Sequence, residues 1–86
     1  MRVVVAPQLR TRLVVLDRLD PTLVTRVELA IDLLAAGVSA RELARRGVRL
    51  RSARFDELPG RAYYSVRGRF LVIRRFDDRI EVLDLL

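Results

Sequence analysis

Arg61-Ala62-Tyr63-Tyr64-Ser65-Val66-Arg67-Gly68-Arg69-Phe70-Leu71-Val72-Ile73-Arg74-Arg75-Phe76-Asp77-Asp78-Arg79-Ile80-Glu81-Val82-Leu83-Asp84-Leu85 decides the fold. Its apolar residues recur with a period of two, the period of a half-buried strand. Arg67-Gly68 and Asp77-Asp78 are two-residue connections, so the spacing predicts three strands over 62–66, 69–76 and 79–85. Such short hairpins fix the register, pairing Val66 with Arg69, Tyr64 with Leu71, Phe76 with Arg79 and Ile73 with Val82. One face then collects Ala62, Tyr64, Val66, Leu71, Ile73, Ile80 and Val82, an apolar floor. The other collects Arg61, Tyr63, Ser65, Phe70, Val72, Arg74, Glu81, Leu83 and Leu85. That second face mixes apolar side chains with arginine, the pattern of a surface that meets a partner.

Upstream the period changes. Val3-Val4-Val5 is a short β-branched run closed by Pro7, read as a strand over 2–6. Leu9, Leu13, Leu16 and Leu19 form a helical stripe. Asp20-Pro21 interrupts it with an N-cap type followed by a residue suited to the first helical position. A second stripe runs through Leu23, Val27, Ala30, Ile31 and Leu34, and Gly37 ends it. Ser39 and Glu42 have the spacing of a reciprocal capping box, which starts a short helix stopped at Gly47. The expected architecture is one α+β domain over residues 1–86. Its order is β-α-α-(short α)-β-β-β, an antiparallel meander with the N-terminal helical hairpin packed on one face.

The composition limits the chemistry. The 86 residues carry a formal charge of +6, and all 17 basic residues are arginine. The charge is uneven: net +1 over residues 1–40, +7 over 41–79 and −2 over 80–86. The basic footprint therefore lies in the second half. Without cysteine there is no thiolate chemistry, and without histidine there is no imidazole base. We expect no metal, no cofactor, no membrane span and, from the absence of a signal peptide, a cytoplasmic location. Arginine is a permanently charged planar fork matched to phosphate and carboxylate.

Leu58-Pro59-Gly60-Arg61-Ala62-Tyr63-Tyr64-Ser65-Val66-Arg67-Gly68-Arg69-Phe70-Leu71-Val72-Ile73, followed by Asp77-Asp78-Arg79-Ile80-Glu81-Val82-Leu83, resembles the meander of the RelE/ParE-like toxins of bacterial toxin–antitoxin pairs. Val3 to Leu9 looks like that family's opening strand and first helix, and Asp20 to Ile31 like its second helix. The resemblance implies a toxin held by a cognate antitoxin. It implies growth arrest by ribosome-associated cleavage of messenger RNA, an endoribonuclease activity, or action on DNA gyrase in the family's other branch. Tyr64 and Arg67 match its tyr-x-x-arg element and Arg69 is nearest to its later arginine, so these three are the expected catalytic set. Arg61, Tyr63, Arg74, Arg75, Arg49 and Arg51 are expected to bind nucleic acid, by phosphate pairing and base stacking. Phe70, Val72, Leu83 and Leu85 are expected to bind a partner. With no lysine or histidine, the acid–base partners common in the ribonuclease branch are not present.

Two alternatives stay open. One is a toxin-like module that binds without catalysis or is directed at gyrase. The other starts from Ala30 to Val48, which resembles a helix-turn-helix opening; residues 48–58 would then be a DNA-recognition helix.

Overall fold

The computed structural model describes residues 2–51 and 60–86. Strand β1 (Arg2–Val5) leads into helices α1 (Pro7–Leu19), α2 (Pro21–Ala35) and α3 (Ala40–Arg45). Strands β2 (Val48–Leu50), β3 (Arg61–Val66), β4 (Arg69–Arg75) and β5 (Arg79–Leu85) follow. They form one five-stranded sheet in the order β1-β5-β4-β3-β2. The α+β class and the helical packing agree with the expectation, but the sheet is mixed and not a purely antiparallel meander. The four later strands pair antiparallel, while β1 lies parallel to β5, with Val3 beside Ile80 and Val5 beside Val82. Local periodicity does not carry this pairing, because the two strands are far apart along the chain. Val48–Leu50 is an edge strand on β3, with Val48 opposite Val66. A recognition helix beginning at residue 48 is thereby excluded, and its continuation over 52–58 lies outside the described residues.

The helices form where their caps allow. Asp20 ends α1, its N–H donating to Leu16 O at 2.7 Å, and opens α2, its carboxylate accepting from the Leu23 N–H at 3.1 Å. Pro21 follows at the first helical position, where its missing N–H has no partner to lose. Asp20→Ala is expected to cost about 1 kcal/mol, read as a lowered urea midpoint with unchanged slope. Ser39 caps α3 as its spacing predicts, accepting from the Glu42 N–H at 3.2 Å. Glu42 does not reach back to close the box; its carboxylate pairs with Arg46 at 3.3 Å and Arg45 at 3.5 Å. The Arg67-Gly68 connection has both residues left-handed, with φ of 48° and 77°, as a two-residue hairpin turn matched to strand twist requires.

The core lies between sheet and helices. Leu9, Leu23, Val27, Ala30 and Leu34 of the helices meet Tyr64, Val66, Leu71, Ile73, Ile80 and Val82 of the sheet. Each fully buried leucine or isoleucine contributes about 1.5–3 kcal/mol of transfer free energy. Leu13 and Leu16 pack against this cluster, but Leu19 does not: at the end of α1 it is 76% exposed. Among the described residues no helix is long and apolar enough to cross a membrane.

The expected register holds through Ile73 opposite Val82, and then slips. Val72 lies opposite Asp84 and Leu71 opposite Leu85, leaving Leu83 as the extra residue of a β-bulge. The Leu85 N–H donates to the Asp84 carboxylate at 2.8 Å, and Asp84 also pairs with Arg12 of α1. The bulge turns Leu85 to the helix side, where it is fully buried in the core. This corrects its assignment to the partner-binding face.

Candidate nucleic-acid interface on the outer sheet face

Strand alternation sends Arg61, Tyr63 and Ser65 of β3, Phe70, Val72 and Arg74 of β4, and Arg79 and Glu81 of β5 away from the helices. Arg49 lies opposite Ser65 on the same face. Arg51 leaves β2 with its N–H bonded to Tyr63 O at 2.8 Å and its guanidinium 5.9 Å from the Phe70 ring. Beyond the bulge, Leu86 exchanges both backbone hydrogen bonds with Phe70 and so joins this face, 57% exposed. Sequence periodicity missed Leu86 because it carried the unslipped alternation to the end. The apolar strip is half-buried, not bare: Tyr63, Phe70 and Leu83 are intermediate and Val72 is buried. Residues 52–59 lie outside the described residues.

The electrostatics of this face are unbalanced. Arg61 stands directly opposite Arg74. Like charges in that position repel and weaken the pairing. Across the next strand Arg74 faces Glu81, yet the Glu81 carboxylate pairs with Arg79 Nε at 3.1 Å. Arg79 also bonds Asp78 at 2.9 Å, and its pKa is raised above the ordinary arginine value, first by the hydrogen bond with Glu81. The guanidinium of Arg74 lies over the Phe76 ring, 4.9 Å from its centroid, while that of Arg79 stacks on the same ring at 4.0 Å. Among the described residues, Arg49, Arg51, Arg61 and Arg74 have no carboxylate partner. The face therefore offers four uncompensated guanidinium groups interleaved with Tyr63 and Phe70. Glu81 is committed to Arg79, and Asp84, opposite Val72, to Arg12, so both are poorly placed to act as a base.

The expected catalytic trio sits elsewhere. Tyr64 points to the helix side, 4% exposed, and its hydroxyl accepts from Arg75 Nη2 at 3.1 Å. Arg75 thus also lies on the helix side, apart from Arg61 and Arg74. Arg67 is at the hairpin tip, and Arg69, opposite Val66, is exposed on the helix side of that tip. Arg61, Tyr63, Arg74, Arg49 and Arg51 are brought together; Tyr64, Arg67, Arg69 and Arg75 are not among them. Tyr64→Phe is expected to cost about 0.5–1.5 kcal/mol in stability and to leave RNA affinity unchanged, measured by denaturation and by fluorescence anisotropy. Comparison with protein-family models, with curated proteins and with solved structures found no match to this chain.

Proposed function

We propose that this chain is the RelE/ParE-like toxin of a toxin–antitoxin pair and arrests growth by engaging messenger RNA across the outer sheet face. The observation that carries the reading is the Arg61–Arg74 pair: two cations set side by side, neither matched by a carboxylate among the described residues. A phosphate between them turns a repulsive pair into two charge-assisted contacts. Tyr63 and Phe70 supply flat surfaces on which unpaired bases stack, the mode by which single-stranded RNA is read. The order of an opening strand, two long helices and a late run of antiparallel strands is also the order that the resemblance implies.

Chemistry on this face rests on position and charge. When the RNA 2′-hydroxyl attacks the adjacent phosphorus, the 5′-oxygen leaves and a cyclic phosphate forms. Arg61 and Arg74 neutralise the charge that builds on the phosphoryl oxygens, while water takes the 2′-hydroxyl proton and supplies one to the leaving 5′-oxygen. The cognate antitoxin is a small acidic protein that covers the same arginines and the strip of Phe70, Leu83 and Leu86.

Inducible expression in a bacterium tests the reading. Growth arrest with cleaved messenger, reversed by co-expression of an acidic protein from the neighbouring reading frame, is the expected result. Arrest with DNA damage and intact messenger identifies gyrase as the target. Unimpaired growth at high expression overturns the toxin assignment.

A further inference from the structure

A second basic site lies on the helix side of the sheet, away from the face just described. Arg26 and Leu29 of α2, Arg46, Gly47 and Val48 at the α3–β2 corner, and Val66 and Arg67 at the β3–β4 hairpin line a recess of about 290 Å³. Three arginines thus come from three separate parts of the chain, and no carboxylate is in the lining among the described residues. Arg46 shares Glu42 with Arg45. The side chains of Arg26 and Arg67 have no carboxylate or hydrogen-bond partner among the described residues.

Folding alone gives little reason for this arrangement. Three arginines lining one recess bring like charges together with only Arg46 matched by a carboxylate among the described residues, and an entering anion lowers that cost. Arg67 adds a backbone cost. Its φ of 48° is left-handed, a conformation in which a residue other than glycine, asparagine or aspartate is disfavoured by about 1 kcal/mol. Asparagine would suit this turn better, particularly before Gly68. The less favourable residue adds a third arginine to the lining that holds Arg26 and Arg46.

We propose that this recess is an oxyanion site that takes a phosphate group. Arginines supplied by three separate parts of the chain suit the several oxygens of a phosphate better than the single plane of a carboxylate. Leu29, Val48 and Val66 give the recess an apolar wall that limits hydration of the bound group. The shared chemistry is the phosphate group, whether free or on the 5′ end of an RNA strand. The proposal does not depend on the toxin reading, since the outer-face arginines take no part.

Isothermal titration with inorganic phosphate, and separately with a short RNA bearing or lacking a 5′-phosphate, tests it. Wild-type protein is expected to bind inorganic phosphate saturably, with a Kd on the order of 1 mM. Arg26→Gln and Arg67→Asn are each expected to weaken binding about tenfold. Arg67→Asn also gives the turn its preferred Asn-Gly sequence, so its thermal midpoint stays level or rises while binding falls. Arg61→Gln, on the other face, leaves phosphate binding unchanged. Tighter binding of the 5′-phosphorylated RNA than of its unphosphorylated counterpart, lost in Arg67→Asn, assigns the site to an RNA end. Equal binding of the two RNAs assigns it to free phosphate. No saturable phosphate binding by folded wild-type protein, or an unchanged Kd in both recess variants, overturns the proposal.

Discussion

Leu85→Ala is expected to lower stability by about 2–5 kcal/mol, whereas Leu83→Ala costs less than about 1 kcal/mol. The two leucines are two positions apart, and in an unbroken strand they would share a face and a fate. The bulge separates them. Leu85 is fully buried in the helix-side core, while Leu83 remains half-buried on the outer face. A domain this small has a total stability of only about 5–10 kcal/mol, so the Leu85 variant stands near the edge of folding. Urea denaturation followed by circular dichroism checks both variants. Equal losses at the two positions would show that strand β5 runs without the slip, and would return Leu85 to the outer face.

The second large effect is on RNA. Arg61→Ala combined with Arg74→Ala is expected to reduce single-stranded RNA affinity about 10- to 100-fold at physiological salt. Each removed phosphate contact should also lower the slope of log K against log salt by about 0.7. Stability should hold or rise slightly, because two facing cations are deleted from adjacent strands. Loss of affinity with retained stability is what separates a binding pair from a structural one. Tyr63→Ala should weaken binding by about 1–3 kcal/mol without altering the salt slope, since stacking releases no counterions.

Much of this architecture was legible in the sequence, for identifiable reasons. The two hairpins could be placed because two-residue connections leave one register, and Tyr64 opposite Leu71 and Ile73 opposite Val82 occur as that register requires. The Asp20-Pro21 corner could be read because capping is local chemistry. What failed was non-local or unmarked. Nothing near Val3-Val4-Val5 states that its neighbour is β5. The bulge at Leu83 carries no glycine, and its one signal is Asp84, whose carboxylate accepts from the next backbone N–H. Leu19 continued a stripe in sequence but lies at the end of its helix, 76% exposed.

The candidate site was legible in part. Arg61, Tyr63 and Arg74 fall together because strand alternation alone places them. Tyr64 and Arg67 were singled out by a spacing that holds no information about faces. Tyr64 follows the core side of its strand, and Arg67 leaves the sheet at the turn. That Arg74 lacks a carboxylate could not be read from its position opposite Glu81. A closer cation on the same strand as Glu81, Arg79, takes that carboxylate instead.

The central claim is that RNA lies on the outer sheet face. Titrating isotopically labelled protein with a short single-stranded RNA that lacks a 5′-phosphate, and following amide and arginine side-chain resonances, tests it most directly. The account predicts saturable shifts centred on Arg61, Tyr63, Ser65, Phe70 and Arg74, with the α1–α2 surface unmoved. Shifts centred on that helical surface, or none at RNA concentrations well above those of the protein, would contradict it.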